Sequence, residues 1–390
     1  MFSLTTYSFY ISQPLFKNSI HYAQHKLANF VGKLSPSSKF IGPPKGFYED
    51  IDECLKNYPK AGFKKLLLYE NLPDKQHSFN KYHVAIRNGR INLNPWSFIT
   101  ADDRLLFRES SCYGPQPKEH WVFRSFKLPK PKKLHGKSLF LSSRNNYWHL
   151  LADELCDISL ITESGTKLCE FDQIIFEKPS YTAAQELHKI FRLDKVKQVS
   201  LLQNLHFECE ELHFFTGTFS LSKYALTSVK ERILNSLCLS NEDSKKKNNK
   251  IIISRGSSTT RRWLNEEECV NQLNTLGFKQ IDPSNMSLSE QINAFSSAEV
   301  ILGPHGAGLT NLMFSRPGSK VIEIRSNEQC GEYSSATCYE ELSKIIGLEH
   351  HIFMCPTIER KDLKGRSIED ADLVPNPKKL RNFLCKLILP

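Results

Sequence analysis

Short apolar runs separated by helix-period segments recur along the chain, and the pattern is sharpest after residue 250. Ile251-Ile252-Ile253, Phe278 to Ile281, Val300-Ile301-Leu302 and Val321-Ile322-Glu323-Ile324 are each short enough for a buried strand. Between them Asn265 opens a helix running to Leu276, with Gly277 suited to its C′ position. Ser287-Leu288-Ser289-Glu290 is a capping box for a helix bearing Ile292 and Phe295. Such alternation predicts a doubly wound parallel sheet with its ligand at the carboxyl ends of the strands.

Earlier in the chain the rhythm is looser. Residues 82–107 read as strands and turns, with Asp102-Asp103 as a hairpin turn rather than an acidic metal site. Leu128 to Lys137, LPKPKKLHGK, reads as a surface connection. Leu139-Phe140-Leu141 then forms a strand, Ser142 to Asn146 a polar loop, and a helix starts from Tyr147. A strand at Ile174-Ile175-Phe176, a helix over Ala183 to Phe191, and strand-like runs at Val196 to Leu202 and Leu212 to Phe215 complete a second α/β unit. The polar stretch Asn241 to Lys250, NEDSKKKNNK, is the best boundary. The expected organisation is a domain over 1–240, a linker over 241–250, a domain over 251–375 and a tail over 376–390. That tail sets Lys378, Lys379, Arg381 and Lys386 among leucines, as an amphipathic helix packed on the body would.

Charge narrows the partners. The 52 basic and 42 acidic side chains leave a net charge of +10, which suits an anionic ligand or an anionic membrane face. The excess is too diffuse for a nucleic-acid-binding stripe. The eleven cysteines are odd in number and never fall as C-x-x-C, which reads as reduced thiols of a cytoplasmic protein. The first residues lack a basic n-region and a continuous apolar core, and no apolar run approaches the ~18 residues of a membrane-spanning helix. The expectation is a cytoplasmic protein, with attachment to the cytoplasmic membrane face left open.

Candidate chemistry collects at the carboxyl edge of the second sheet. Arg255 leaves the Ile251–Ile253 strand where it can pair with a phosphate; Arg261 and Arg262 follow and read more readily as solvated side chains. His305, Gly306, Ala307 and Gly308 then form a loop entering a short helix, whose backbone N–H groups can meet an anion. Thr310 and Asn311 could add donors, and Glu323 is either a ribose ligand or an edge-strand glutamate facing water. In the first half, His149 and Asp153 are four apart and share a helix face. No G-x-S-x-G, H-E-x-x-H, P-loop or G-x-G-x-x-G occurs, which disfavours a nicotinamide-dependent reading.

The stretch GPHGAGLTNLMFSRPGSKVIEI, Gly303 to Ile324, resembles the signature of glycosyltransferase family 61. That family includes plant xylosyl- and arabinosyltransferases, eukaryotic O-linked N-acetylglucosamine transferases and many bacterial proteins, among which this chain is expected. Ile251 to Glu268, IIISRGSSTTRRWLNEEE, and Arg144 to Leu155, RNNYWHLLADEL, resemble two further elements in the same order. The resemblance covers roughly Ser138 to Ile324. It implies an α/β fold of GT-B type, two Rossmann-like domains facing across a cleft, with inversion at the anomeric carbon and no obligatory metal or cofactor. It also implies a nucleotide-diphosphate sugar, UDP-linked for preference, as donor and a glycan or lipid-linked acceptor, in surface polysaccharide or glycoconjugate synthesis. Carried over, Arg255, His305 and the backbone of Gly306 to Gly308 would hold the diphosphate. Asn311 would support that loop, Glu323 would face the ribose, and His149 or Asp153 would be the base. The alternative is a non-catalytic nucleotide-sugar or glycan-binding protein on the same scaffold.

Overall fold

The computed structural model describes residues 40–58, 64–69, 81–93, 96–110, 116–125, 127–142, 146–201, 205–216, 221–239, 249–256, 258–326, 337–358 and 370–388. Arg144 and most of the expected linker, 241–248, lie outside them, and Asn249 and Lys250 already belong to a strand.

The first half supplies β1 (Phe40–Ile41), β2 (Gly46–Tyr48), β3 (Lys64–Tyr69), β4 (Lys81–Leu93), β5 (Trp96–Ile99), β6 (Arg104–Leu106), β7 (Leu128–Pro129), β8 (Lys132–Phe140), β9 (Gln173–Ile175) and β10 (His206–Phe215). β1 pairs with β7 alone. The others form a mixed sheet in the order β2-β6-β5-β4-β10-β8-β9, with β3 also on β4. Only β10-β8-β9 is the parallel βαβ arrangement expected for a Rossmann-like unit. The rest of the layer is largely antiparallel, through β4 and its partners β3, β5 and β10. The hairpin at Asp102-Asp103 forms as expected: Tyr48 and Thr100 donate to Asp102, and Arg90 pairs with Asp103.

Two sequence expectations fail here. Residues 128–137 are β7 and most of β8, not a surface connection. Their lysine side chains stay solvated while the backbone completes the ladder beside β10, so polarity hid the strand. The Val196 run contributes only an isolated bridge, Gln198 to Ile174.

The second half is doubly wound. β11 (Asn249–Ile253), β12 (Phe278–Ile281), β13 (Ala298–Pro304), β14 (Lys320–Ser326) and β15 (Glu349–Cys355) lie parallel in the order β12-β11-β13-β14-β15. Period-2 alternation sends Ile252, Leu302, Ile322 and Ile324 to one face, under helices 266–274 and 377–388. Ile251, Ile253, Ile301 and Val321 face the other, under helices 288–296, 307–314 and 338–346. Ser287 and Glu290 form both halves of their capping box. In the tail helix Leu380 and Leu384 are buried in the body's core. A short antiparallel pair, β16 (Thr357–Ile358) and β17 (Asp372–Leu373), follows β15.

Each half has a hydrophobic cluster of its own, and a further cluster bridges them. The bridging cluster joins Leu151, Ile158, Leu187 and Val229 from the first to Ile251, Ile301, Leu309 and Leu312 from the second. The observed fold is thus mixed α/β with several sheets, and the expected second parallel Rossmann-like sheet is replaced by a mixed one. Among the described residues no helix is long and apolar enough to cross a membrane.

Candidate functional site

In the β12-β11-β13-β14-β15 order the chain winds outward in opposite directions from β11 and β13. A crevice opens at the carboxyl ends of two such strands. Arg255 stands two residues past β11, and His305 directly follows β13. They meet: Arg255 Nη1 donates to the His305 carbonyl at 3.1 Å. Its Nη2 donates to Ser258 Oγ at 2.6 Å and to the Thr260 carbonyl at 2.8 Å. Nε is buried and has no hydrogen-bond partner. Burial, then the charge of Arg261, lowers the Arg255 pKa to about 10, so the guanidinium remains a cation at neutral pH. Gly306 is required by this packing, because a Cβ there would lie 1.8 Å from Arg255 Nη1. At Gly308 a Cβ would press on Ile253 Cγ2 at 3.0 Å.

Glu323 is neither on an edge strand nor facing water. β14 lies between β13 and β15, and the side chain is fully buried. Its Oε1 meets His305 Nδ1 at 2.5 Å; its Oε2 accepts from Arg325 Nη2 at 2.6 Å and His350 Nε2 at 2.9 Å. Burial would raise the carboxyl pKa, but hydrogen bonds from His305, His350 and Arg325 outweigh it and hold it at about 2. With both oxygens occupied, the carboxylate holds His305 and has no face for a ribose. Burial in turn lowers the His305 pKa, with Glu323 pulling the other way and Arg261 and Arg325 adding to the decrease.

Thr310 and Asn311 are buried in the 3₁₀ helix 307–314 and do not line an open surface. Asn311 is a hub. It accepts from the Tyr147 hydroxyl at 3.0 Å, and donates to Gln291 Oε1 at 2.7 Å and to the Gly308 carbonyl at 3.4 Å.

Arg261 and Arg262 part company. Arg262 makes three hydrogen bonds to the fully buried Asp372 carboxylate, one from its backbone and two from its guanidinium, and is structural. Arg261 has a left-handed backbone, φ 49°, and a buried Nε without a hydrogen-bond partner. Its charge acts on both Arg255 and His305, so it belongs to the site, where the sequence favoured a solvated side chain. The one local signal was the Arg-Arg pair itself; what separates the two is Asp370 and Asp372, far along the chain.

His149 and Asp153 lie in a six-residue π-helical stretch, His149–Glu154, that leads into helix 155–163. Such stretches are rare and frequent at functional sites. His149 Nδ1 meets Asp153 Oδ2 at 2.7 Å. The imidazole is a quarter exposed and the carboxylate almost wholly buried. This helix docks on the glycine loop through Tyr147–Asn311 and through Tyr339, whose ring stands edge-on to both Trp148 (5.0 Å) and His305 (5.2 Å).

Residues 147–322 match the family model described as Glycosyltransferase 61. Over this stretch the chain is similar to that family. The stretch begins at Tyr147, takes in His149, Asp153, Arg255, His305 and Asn311, and ends one residue before Glu323. The EGF domain-specific O-linked N-acetylglucosamine transferase of Gallus gallus is 29% identical over 125 residues, which is 31% of this chain and 22% of that protein. Beta-1,2-xylosyltransferase RCN11 of Oryza sativa subsp. japonica is 38% identical over 66 residues, 17% of this chain and 11% of its own length. The beta-1,2-xylosyltransferase of Arabidopsis thaliana is 30% identical over 109 residues, 25% and 20% of the two chains. These curated relatives are eukaryotic, and the match spans at most 22% of their lengths. A solved bacterial iron-containing dodecameric glycosyltransferase, TibC from enterotoxigenic E. coli, aligns over 68% of this chain and 84% of its own. Its 11% identity and TM-score of 0.26 carry no argument.

Proposed function

We propose that this chain is a glycosyltransferase that moves a sugar from a nucleotide-diphosphate donor to an acceptor hydroxyl. One observation carries the reading: Arg255 and His305 converge at the switch point of the parallel sheet, beside Gly306, where any Cβ would collide with the Arg255 guanidinium. A cationic crevice with unpartnered N–H groups and the start of a 3₁₀ helix suits a diphosphate.

In this reading Arg255, Arg261, His305 and the backbone of Gly306, Ala307 and Gly308 hold the diphosphate. As the acceptor oxygen attacks the anomeric carbon and the bond to the diphosphate breaks, these cations stabilise the charge gained by the leaving group. The acceptor proton goes to His149 on the opposite face, giving inversion in a single displacement. Asp153 is too buried to meet an acceptor and instead orients the imidazole through Nδ1, leaving Nε2 to take the proton. Glu323 is reassigned from the ribose to the support of His305. A uridine diphosphate donor and a glycan acceptor are retained; the names of the relatives span N-acetylglucosamine and xylose, so hexose and pentose donors both belong in the assay.

The test is release of nucleoside diphosphate from a panel of nucleotide sugars, with and without glycan acceptors. His149→Gln should cut turnover roughly 100-fold or more while the donor still binds. Turnover unchanged in both His149→Gln and Asp153→Asn would remove the pair from catalysis.

A further inference from the structure

The hydrogen bonds around Glu323 fix more than the position of His305. They fix which of its nitrogens carries a proton. An ionised carboxylate only accepts, so His305 Nδ1 must be the donor in the 2.5 Å contact with Oε1. In the neutral ring, Nε2 is then a bare lone pair. Such a nitrogen faces an anionic phosphate oxygen as acceptor against acceptor, and cannot bond it. Resting on the nucleotide-diphosphate reading above, we infer that His305 engages the diphosphate only as an imidazolium, so that binding takes up a proton at Nε2.

The surrounding groups support both ends of this linkage. Glu323 is kept from protonating by Arg325, on its own strand, and by His350 on β15, whose Nδ1 meets Ser343 Oγ at 2.8 Å. Arg325 is held in turn by Glu340 on helix 338–346. The same helix sets Tyr339 against the imidazole. In the free protein burial, Arg261 and Arg325 favour the neutral ring against the pull of Glu323. Arg255 adds a further cation at the His305 carbonyl. A diphosphate reverses this balance by bringing negative charge to a low-dielectric site. Ser343, His350 and Arg325 are therefore positioning residues, acting through Glu323.

The experiment is titration calorimetry with uridine diphosphate and with inorganic pyrophosphate, on the full chain, in buffers of different ionisation enthalpy. It is run above pH 7, where the terminal phosphate of uridine diphosphate is already ionised; pyrophosphate, which still carries a proton there, is read for affinity alone, and the proton count is taken from uridine diphosphate. The expected result is uptake of about one proton per ligand, with affinity falling toward tenfold per pH unit. His305→Gln, whose amide donates without titrating, should bind more weakly near pH 7 and lose the proton uptake and the slope. Glu323→Gln is a second arm. Oε2 receives two donors and Oε1 one, so the amide oxygen of the variant takes the Oε2 position. Its NH₂ then donates to His305 Nδ1 and places a proton on Nε2 of the neutral ring, again without uptake. Binding by the native chain with no proton uptake, or uptake that persists in His305→Gln, overturns this inference and leaves the diphosphate site standing. Failure of both probes and of every other nucleoside diphosphate to bind the native chain overturns the site and the inference together.

Discussion

The Tyr147 hydroxyl, at the start of the His149 helix, donates to Asn311 Oδ1 at 3.0 Å and so fastens the first half of the chain to the glycine loop of the second. Both groups are buried. Tyr147→Phe leaves a buried acceptor unpaired, which costs about 1–3 kcal/mol. Urea unfolding should show that loss with little change in the slope. Sugar transfer should fall further than diphosphate affinity, because the bond joins the expected base to the donor site. Equal losses in both would argue against a joining role.

Gly306→Ala separates binding from folding. The added Cβ collides with the far end of a flexible side chain, Arg255 Nη1, rather than with backbone. The guanidinium must therefore leave the His305 carbonyl while the sheet stays intact. Diphosphate affinity should drop roughly tenfold or more, in line with losing a charge-assisted contact worth about 1.5–3 kcal/mol. Thermal unfolding without ligand should hardly move; a large fall in Tm with normal affinity would contradict the packing described.

Arg261 and Arg262 should give opposite phenotypes. Arg262→Gln removes the guanidinium charge and its two hydrogen bonds from the fully buried Asp372, leaving the backbone bond. Since Arg262 is itself half-exposed, the cost is on the order of 2 kcal/mol, between the surface and buried limits for ion pairs. Arg261→Gln should leave stability nearly unchanged and weaken diphosphate binding. Calorimetry and chemical denaturation on the two variants check the split.

Much of this was legible in the sequence, and the failures have physical causes. The four apolar runs from Ile251 to Ile324, the capping box at Ser287 and the glycines of the loop are local signals, and each marks its element. Glu323 was misread because its burial depends on β15, whose Glu349-His350-His351 start does not look like a strand flanking a core. Arg261 was undervalued because its backbone is held by Asp370, outside any local window. The mixed first sheet was hidden by Lys132 to Lys137, where ladder hydrogen bonds persist under solvated side chains.

Stability should fall on acidification. Burial lowers the pKa of His83 to about 3 and of His188 and His206 to about 4, below the ordinary value of 6.5. Between those values the unfolded chain binds more protons than the folded one, so stability is present above pH 6.5 and is lost as pH falls, by up to about 1.4 kcal/mol per unit for each histidine. Asp157 and Glu109, raised by burial to about 7, oppose this above their ordinary values near 4. The net slope should steepen below about pH 4.5, where the two carboxyls no longer differ between states and Glu323, held at about 2, adds its own loss. Denaturant midpoints measured from pH 7 to pH 4 check the sign; stability that rises toward pH 4 would contradict it.

The central claim is that the crevice between β11 and β13 holds a nucleoside diphosphate. The direct measurement is calorimetric titration of the chain with a panel of nucleoside diphosphates, alongside Arg255→Gln. At least one should bind the native chain at a single site, and Arg255→Gln, having lost a charge-assisted phosphate contact worth about 1.5–3 kcal/mol, should bind it roughly 10- to 150-fold more weakly. Binding that is indifferent to Arg255, or no binding by any nucleoside diphosphate, would contradict the account.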